Sequence, residues 1–231
     1  MTNLLTRLAG APISWGVCEV PGWGLELSPR RVLGEMQQIG LTATELGSDG
    51  YLPTDPAELK DLCAEFDLEM IGGFVPLVLH DAAELDATIE AARRTAELMS
   101  AAGASVFVTS AVTDWEWGPR QELTSDDWNF AAKTLSIVDD ILGEFGMTQA
   151  IHPHLRTVVE TRADIESLLD VSDVGWTFDM GHMQIGGMDP LEFIDVAFDR
   201  IRHVHLKDVV MDLARPVFAG DCSIMDGVQA G

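Results

Sequence analysis

The chain has 231 residues, of which 47% are hydrophobic and 23% are charged, so it can form an α/β domain with a sizeable core. Its 14 basic and 38 acidic residues give a formal net charge of -24, which excludes a basic surface for nucleic acid or for an anionic membrane. The 3 cysteines are too few for a disulfide framework and fit a cytoplasmic protein, and no apolar run is long enough to span a membrane.

Short apolar runs bounded by turn residues predict four strands in the first half of the chain. The predicted strands are Pro12–Val17, Leu41–Leu46, Glu69–Val75 and Ser105–Thr109. Three amphipathic stretches between them have helical spacing, and two of these begin with N-cap and proline signals. The predicted helices are Arg30–Ile39, Pro56–Phe66 and Ala83–Ala102.

The same alternation continues through the second half of the chain. Three further strands are predicted at Thr148–His152, Gly175–Asp179 and Ile201–Leu206. The helices between them are predicted from Ser125 to Gly146, from Thr161 to Val171 and from Asp189 onward.

Seven consecutive strand-helix units, of which the seventh has no predicted helix, predict a parallel sheet with its helices outside it. They favour a TIM (β/α)8-type barrel over an open sheet. We expect one domain over residues 1–231, with an N-terminal extension at 1–11 that lacks a signal-peptide apolar region. We expect the eighth βα unit to be missing, because the atypical tail at 209–231 is too short for it. The open strand edges that would result favour a homo-oligomer.

Imidazole and carboxylate side chains lie at the ends of three predicted strands. The candidate ligands are His152, His154, Asp179 and His205. Because barrel enzymes place their chemistry at strand ends, this pattern predicts a divalent-metal site. The mixture of nitrogen and oxygen donors suits Mn²⁺, Co²⁺, Fe²⁺ or Zn²⁺ better than Ca²⁺ or an all-oxygen Mg²⁺ site. The alternative is that these histidines are hydrogen-bonded core residues.

Three other polar residues near strand ends are candidate catalytic acids or bases. His182 follows Asp179 by three positions and could hold a substrate hydroxyl or transfer a proton, or it is a turn residue. Lys207 and Glu45 end predicted strands, although Glu45 could equally be a capping or surface residue.

Aromatic residues are concentrated in or beside the loops after the first and fourth predicted strands. They are Trp15, Trp23, Trp115 and Trp117. Aromatic walls commonly cover the apolar faces of sugars and cyclitols, so we expect a small-molecule substrate of that class. Plain packing is the alternative for each of them.

Five segments resemble the xylose-isomerase-like TIM-barrel superfamily, in which they look most like inosose dehydratases and their sugar isomerase/epimerase relatives. The segments are 12–24, 41–47, 152–154, 178–182 and 203–208. The resemblance implies a divalent metal, most often Mn²⁺ or Co²⁺, with Zn²⁺ or Mg²⁺ as further candidates. It places Asp179 and His205 on metal positions and His152 or His154 where many relatives have a glutamate. It places His182 at a substrate contact. The implied reaction is dehydration of 2-keto-myo-inositol in inositol catabolism, or an isomerisation or epimerisation that shares its proton abstraction.

The sequence departs from this family at three points. Arg156 stands where the family usually has glycine, which puts a cation near the metal and makes this residue a candidate for substrate binding. Met180 replaces a threonine. The family's fourth metal ligand is a glutamate on the eighth strand, and no eighth strand is predicted in this chain. An inactive remnant with a residual sugar-binding mouth is therefore an alternative. A metal-dependent endonuclease is disfavoured by the charge of -24.

Overall fold

The computed structural model describes residues 7–18, 24–25 and 27–230. Trp23 lies outside these residues, so its predicted substrate contact stays a prediction. The described chain divides into two units. One contains the residues up to Val75 together with Ala92–Phe107 and Ile141–Thr148. The other contains Pro76–Ala91, Val108–Asp140 and the chain from Gln149 onward.

Six strands form one sheet in the order β1-β2-β3-β4-β5-β6, which is also their order in the chain. They are Ala43–Glu45 (β1), Glu69–Leu77 (β2), Val106–Ala111 (β3), Thr148–Ile151 (β4), Trp176–Asp179 (β5) and Ile201–His205 (β6). The pairs β1-β2, β4-β5 and β5-β6 are parallel. Each of these six strands overlaps a predicted one, as expected for short β-branched runs separated by helices.

Nine α-helices occur among the described residues. They are Pro29–Gln38 (α1), Pro56–Glu65 (α2), Leu85–Ala101 (α3), Ser125–Glu144 (α4), Arg162–Val171 (α5), Met180–Ile185 (α6), Pro190–Ala197 (α7), Met211–Ala219 (α8) and Ile224–Ala230 (α9). Helices α1 to α5 and α7 lie where the sequence predicts them. Helix α6 and the two helices of the tail were not predicted. None of the helices in the described ranges is both long and apolar enough to cross a membrane.

The predicted strand at Pro12–Val17 is wrong, because Pro12–Trp15 forms a 3₁₀ helix. Pro12 occupies the first turn, where its fixed φ favours a helical start, and Gly16 ends the turn at a φ of 80°. Just before this 3₁₀ helix, Gly10 forms an isolated parallel β-bridge with Thr44 of β1. The described chain therefore has six strands rather than the seven predicted.

Each unit has its own apolar core. In the first unit, α1 buries Val32, Leu33 and Met36 completely. In the second, Trp176 on β5 packs edge-on against Phe193 of α7, with ring centroids 5.3 Å apart and both residues fully buried. Removing an apolar side chain of this size from water contributes about 1.5–3 kcal/mol. The β5–α7 contact therefore fixes the strand that ends at Asp179.

Candidate metal centre

Three polar side chains meet where β4, β5 and β6 end. His152 follows β4, Asp179 is the last residue of β5 and His205 is the last residue of β6. Asp179 and His205 are direct partners in the β5-β6 register, so their side chains leave the sheet together. One donor atom from each of the three residues lies within 4.8 Å of the other two.

Asp179 is the centre of this cluster and is fully buried. Its Oδ2 lies 3.2 Å from Nε2 of His152 and 3.0 Å from Nζ of Lys207. Its Oδ1 accepts the backbone N–H of His182 at 2.8 Å, which makes Asp179 the N-cap of α6. The cap fixes the carboxylate and starts the helix that positions His182.

Asp179 is an anion in this environment. Burial alone would raise the pKa of its carboxyl, but hydrogen bonds from His152 and His205 and the nearby charge of Lys207 hold that pKa well below its usual range. Lys207 lies across Gly181, where an added Cβ would be 2.7 Å from the lysine side chain. Glycine at this position therefore leaves the lysine room to reach the carboxylate.

The imidazoles of His152, His154 and His182 are neutral at pH 7. Burial lowers the pKa of His152 to about 4 and that of His154 to about 3, and it lowers the pKa of His182 well below its ordinary value. A neutral imidazole has a nitrogen lone pair, which a metal ligand requires.

His154 and His182 present opposite nitrogens to the site. Nδ1 of His154 lies 2.8 Å from the carbonyl oxygen of Leu155, so this nitrogen has the proton and Nε2 is an acceptor. Nδ1 of His182 accepts the N–H of Leu155 at 3.4 Å, so its Nε2 has the proton and is a donor. The two rings lie 4.2 Å apart between centroids. Together they form an acceptor–donor pair beside the carboxylate.

The trio of His152, Asp179 and His205 fits a divalent transition metal. It offers one anionic oxygen and two borderline nitrogens, which is the mixture that Mn²⁺, Co²⁺ and Zn²⁺ accept. Of the two histidines after β4, His152 is the one whose donor atom belongs to this group of three. The ring centroid of His154 lies 5.4 Å from that of His152. The role of His154 as a ligand stays a prediction.

Two other predicted site residues lie in the first unit. Glu45 is buried on β1, where its backbone N–H donates to the carbonyl of Gly10 at 2.8 Å. The indole N–H of Trp15 donates to Glu35 on α1 at 2.9 Å. Their catalytic and substrate-binding roles stay predictions.

The remaining predicted substrate contacts lie in loops of the second unit. Trp115 is held by Glu84, to which its indole N–H donates at 2.7 Å. Arg156 is exposed and has a left-handed backbone, with φ at 63°. This conformation is one that glycine adopts without cost, which agrees with the glycine that the family resemblance leads us to expect there.

Two polar groups of the second unit were not predicted from the sequence. Arg120 forms ion pairs with Asp164 and Glu160, and His80 is buried with its Nε2 2.8 Å from Gln121. These residues lie in loops or are isolated polar positions, where no periodicity signals a contact. The only sequence signal for His80 was its position as a single histidine after the predicted strand Glu69–Val75.

Comparison with known proteins identifies the family. Residues 33–227 match the family described as xylose isomerase-like TIM barrel. The chain belongs to this family. This xylose isomerase-like protein is 32% identical over 224 residues to the inosose dehydratase of Geobacillus kaustophilus, which covers 90% of the chain and 72% of that protein. It is also 32% identical to the rhizopine catabolism protein MocC of Rhizobium meliloti, over 97% of the chain and 71% of that protein.

A solved structure agrees with this assignment at the level of fold. The probable 3-DHS dehydratase AsbF of Bacillus anthracis superposes with a TM-score of 0.70 at 16% identity, covering 92% of the chain and 77% of that protein. The predicted superfamily and the TIM-barrel fold class are thereby confirmed.

Proposed function

We propose that this xylose isomerase-like protein is a divalent-metal-dependent lyase that removes water from 2-keto-myo-inositol or a closely related keto-cyclitol. The relatives named inosose dehydratase, at 28–32% identity over most of the chain, support the substrate class. The observation on which the proposal rests is the trio of His152, Asp179 and His205, whose donor atoms lie within 4.8 Å of one another.

His152, Asp179 and His205 would hold the metal, with Mn²⁺ or Co²⁺ preferred and Zn²⁺ or Mg²⁺ as alternatives. A bound divalent ion would supply Lewis-acid polarisation of the substrate carbonyl. The protein prepares these ligands in advance, because the carboxylate is ionised and His152 is neutral in the folded chain. Little proton release is then needed at these two ligands.

The other residues of the cluster would orient substrate and move protons. Nε2 of His154 accepts a substrate hydroxyl, and Nε2–H of His182 donates to a second oxygen. Neither imidazole is a strong base, since burial lowers both pKa values. Lys207 has its ammonium group 3.0 Å from Asp179 and about two-fifths of its side chain accessible, so we assign it to proton transfer.

The overall change is balanced without a redox partner. A base takes a proton from the carbon next to the carbonyl, the C–O bond of the β-hydroxyl breaks, and the hydroxyl leaves as water with a proton that the ammonium group of Lys207 donates. Transfer of the abstracted proton from the base to Lys207 through solvent restores both groups. Glu45 remains a catalytic candidate from the sequence, and self-association of the chain stays a prediction.

Metal binding and turnover test the proposal. Mn²⁺ or Co²⁺ should raise the melting temperature of the dialysed chain, and His205→Ala should weaken that metal binding by more than about 100-fold because it removes a direct ligand. His80→Gln is the matched control, because His80 is also a buried histidine but is not one of the three residues of the trio. It should leave the metal-induced shift unchanged.

The product of the reaction separates the candidate activities. Mass spectrometry of the product from 2-keto-myo-inositol should detect the loss of one water. A rearranged product of unchanged mass would replace the lyase with an isomerase or epimerase. An unchanged melting temperature with either metal, together with no turnover, would favour the inactive remnant.

A further inference from the structure

Ser110 on β3 has a fully buried hydroxyl group. Its Oγ has no hydrogen-bond partner among the residues that the structure describes. A buried hydroxyl that makes no hydrogen bond loses its hydration without compensation, which lowers the stability of the fold. Alanine has nearly the same shape without this cost, so packing alone does not account for a serine at this position.

The hydrogen bonds between β3 and the end of β4 place Ser110 beside His152. The backbone N–H of His152 donates to the carbonyl of Thr109 at 2.8 Å. In a parallel ladder this bond pairs His152 with the residue that follows Thr109, which is Ser110. Paired residues on neighbouring strands, which lie about 4.8 Å apart, direct their side chains to the same face of the sheet. The hydroxyl of Ser110 is therefore on the face that contains the metal trio.

The neighbouring hydroxyl on β3, that of Thr109, lies on the opposite face. Thr109 is also fully buried, and its Oγ1 accepts the side-chain amide of Gln149 at 3.1 Å. Gln149 is three positions before His152, so the alternation of side chains along a strand directs these two residues to opposite faces. Two adjacent buried hydroxyls thus have different surroundings. Thr109 has a partner in Gln149, while Ser110 faces the metal centre.

The imidazole of His152 directs one of its nitrogens at the other members of the trio. Nε2 lies 3.2 Å from Oδ2 of Asp179 and 3.4 Å from Nδ1 of His205. The carboxylate of Asp179 is ionised and only accepts hydrogen bonds, so Nε2 of the neutral ring has the proton in this arrangement. A metal ligand needs a lone pair at Nε2. Metal binding therefore requires the other tautomer of His152, with the proton on Nδ1.

The Nδ1–H group of a metal-bound His152 needs an acceptor of its own. Metal-ligating histidines almost always donate their second ring N–H to a nearby oxygen, which fixes the tautomer and makes the ligand more basic. A serine hydroxyl has two acceptor lone pairs, and it changes position by rotation about one side-chain bond. Ser110 provides such an oxygen on the strand next to His152.

We propose that Ser110 is the positioning residue of His152, and that its hydroxyl accepts the Nδ1–H of this imidazole when Nε2 binds the metal. The inference rests on the proposed function, because it concerns the same metal centre. The hydrogen bond holds His152 in the tautomer that a ligand needs. It also gives the buried hydroxyl a partner, so part of the metal affinity comes from Ser110.

The experiment measures Mn²⁺ binding to the full dialysed chain by calorimetry, together with the melting temperature of the same sample without metal. Ser110→Ala should weaken Mn²⁺ binding about 10- to 100-fold, while the melting temperature without metal should not fall. A hydroxyl with a purely structural role would give the opposite pair of results. Unchanged Mn²⁺ affinity in Ser110→Ala would overturn the proposal, as would a loss of affinity that is accompanied by a lower melting temperature without metal.

Thr109→Val is the matched control, because it removes the adjacent buried hydroxyl and keeps the shape of the side chain. Gln149 loses its partner in this variant, so the melting temperature should fall, but the Mn²⁺ affinity should stay unchanged. A loss of affinity equal to that of Ser110→Ala would assign the effect to a general disturbance of β3 and would overturn the positioning role.

A double-mutant cycle tests whether Ser110 acts through His152. Ser110→Ala should weaken Mn²⁺ binding further in the His205→Ala background, where His152 is still a ligand, but not in the His152→Ala background. Equal further losses in the two backgrounds would mean that the hydroxyl does not act through His152, and would overturn the proposal.

The failure of this inference is distinguishable from the failure of the proposed function, because metal binding is measured without turnover. A chain that binds Mn²⁺ with the help of Ser110 but does not dehydrate 2-keto-myo-inositol would refute the proposed lyase alone. A chain that removes water from this substrate, and whose Ser110→Ala variant binds Mn²⁺ as tightly as the wild type, would refute the positioning role alone.

Discussion

The polar residues of the second unit differ in how far they could be predicted from sequence. His152, Asp179 and His205 lie at the ends of short apolar strands. The ends of parallel strands meet at one edge of a sheet, so the proximity of these residues is predictable. The tautomers of His154 and His182 depend on the backbone N–H and carbonyl of one residue, Leu155, which no periodicity reveals. Residue types at strand ends are therefore predictable, while their hydrogen-bond partners are not.

His80 gives a residue-scale prediction about pH. Its pKa is lowered from the ordinary 6.5 by burial, which outweighs the nearby charges of Asp81 and Asp127. Between the folded and unfolded pKa values the unfolded state binds more protons. This residue therefore contributes stability that is fully present above pH 6.5 and is lost as the pH falls through the folded pKa. Urea unfolding from about pH 7.5 to about pH 5.5 should show this loss in the wild type.

The matched variant for this measurement is His80→Gln. Glutamine does not titrate and can still meet the side chain of Gln121, so the unfolding free energy should fall less over the same pH range. Parallel pH profiles for the two proteins would assign the pH dependence to other groups.

At the scale of elements, predictability follows local signals. Helices α2 and α7 begin at Asp-Pro pairs whose carboxylates cap the first turn, and both starts were predicted. Helix α6 was missed because its six residues follow a strand without a break and begin at the carboxylate of Asp179. The error at Pro12–Trp15 has the opposite origin. A short apolar run was assigned as a strand although it contains a proline, and tertiary context decided between turn and strand.

Helix α5 gives a prediction about capping. Thr161→Ala removes a hydroxyl that accepts the N–H of Asp164 and donates to its carboxylate, while Arg120 keeps its ion pair with Asp164. We expect a loss of about 1 kcal/mol in the unfolding free energy, measured in urea. An unchanged unfolding free energy would mean that this capping box does not stabilise the helix.

At the scale of the whole molecule, the fold class was predictable because βα alternation leaves few topologies. The number of strands was not predictable, because it depended on one short segment, Pro12–Trp15, which forms a 3₁₀ helix. The tail from 209 was expected to be atypical, and it contains α8 and α9. A helix of seven residues such as α9 is stable only through packing, so its existence depends on contacts with α8 that a local pattern does not encode.

The net charge of -24 predicts that salt stabilises the folded chain. Like charges repel one another most in the compact state, and raising the ionic strength from about 0.01 M to about 0.15 M shortens the screening length from about 30 Å to about 8 Å. Salt also weakens exposed ion pairs such as Arg31–Glu35, but each contributes only about 0.2–1 kcal/mol. With 38 acidic and 14 basic residues the repulsion should dominate, so the melting temperature should rise by a few degrees.

The variant Asp139→Asn/Asp140→Asn neutralises two neighbouring exposed carboxylates on α4, and its melting temperature should be higher at low salt and depend less on salt. A wild-type melting temperature that falls as NaCl is added would mean that ion pairs, rather than repulsion, dominate the electrostatic free energy of this fold.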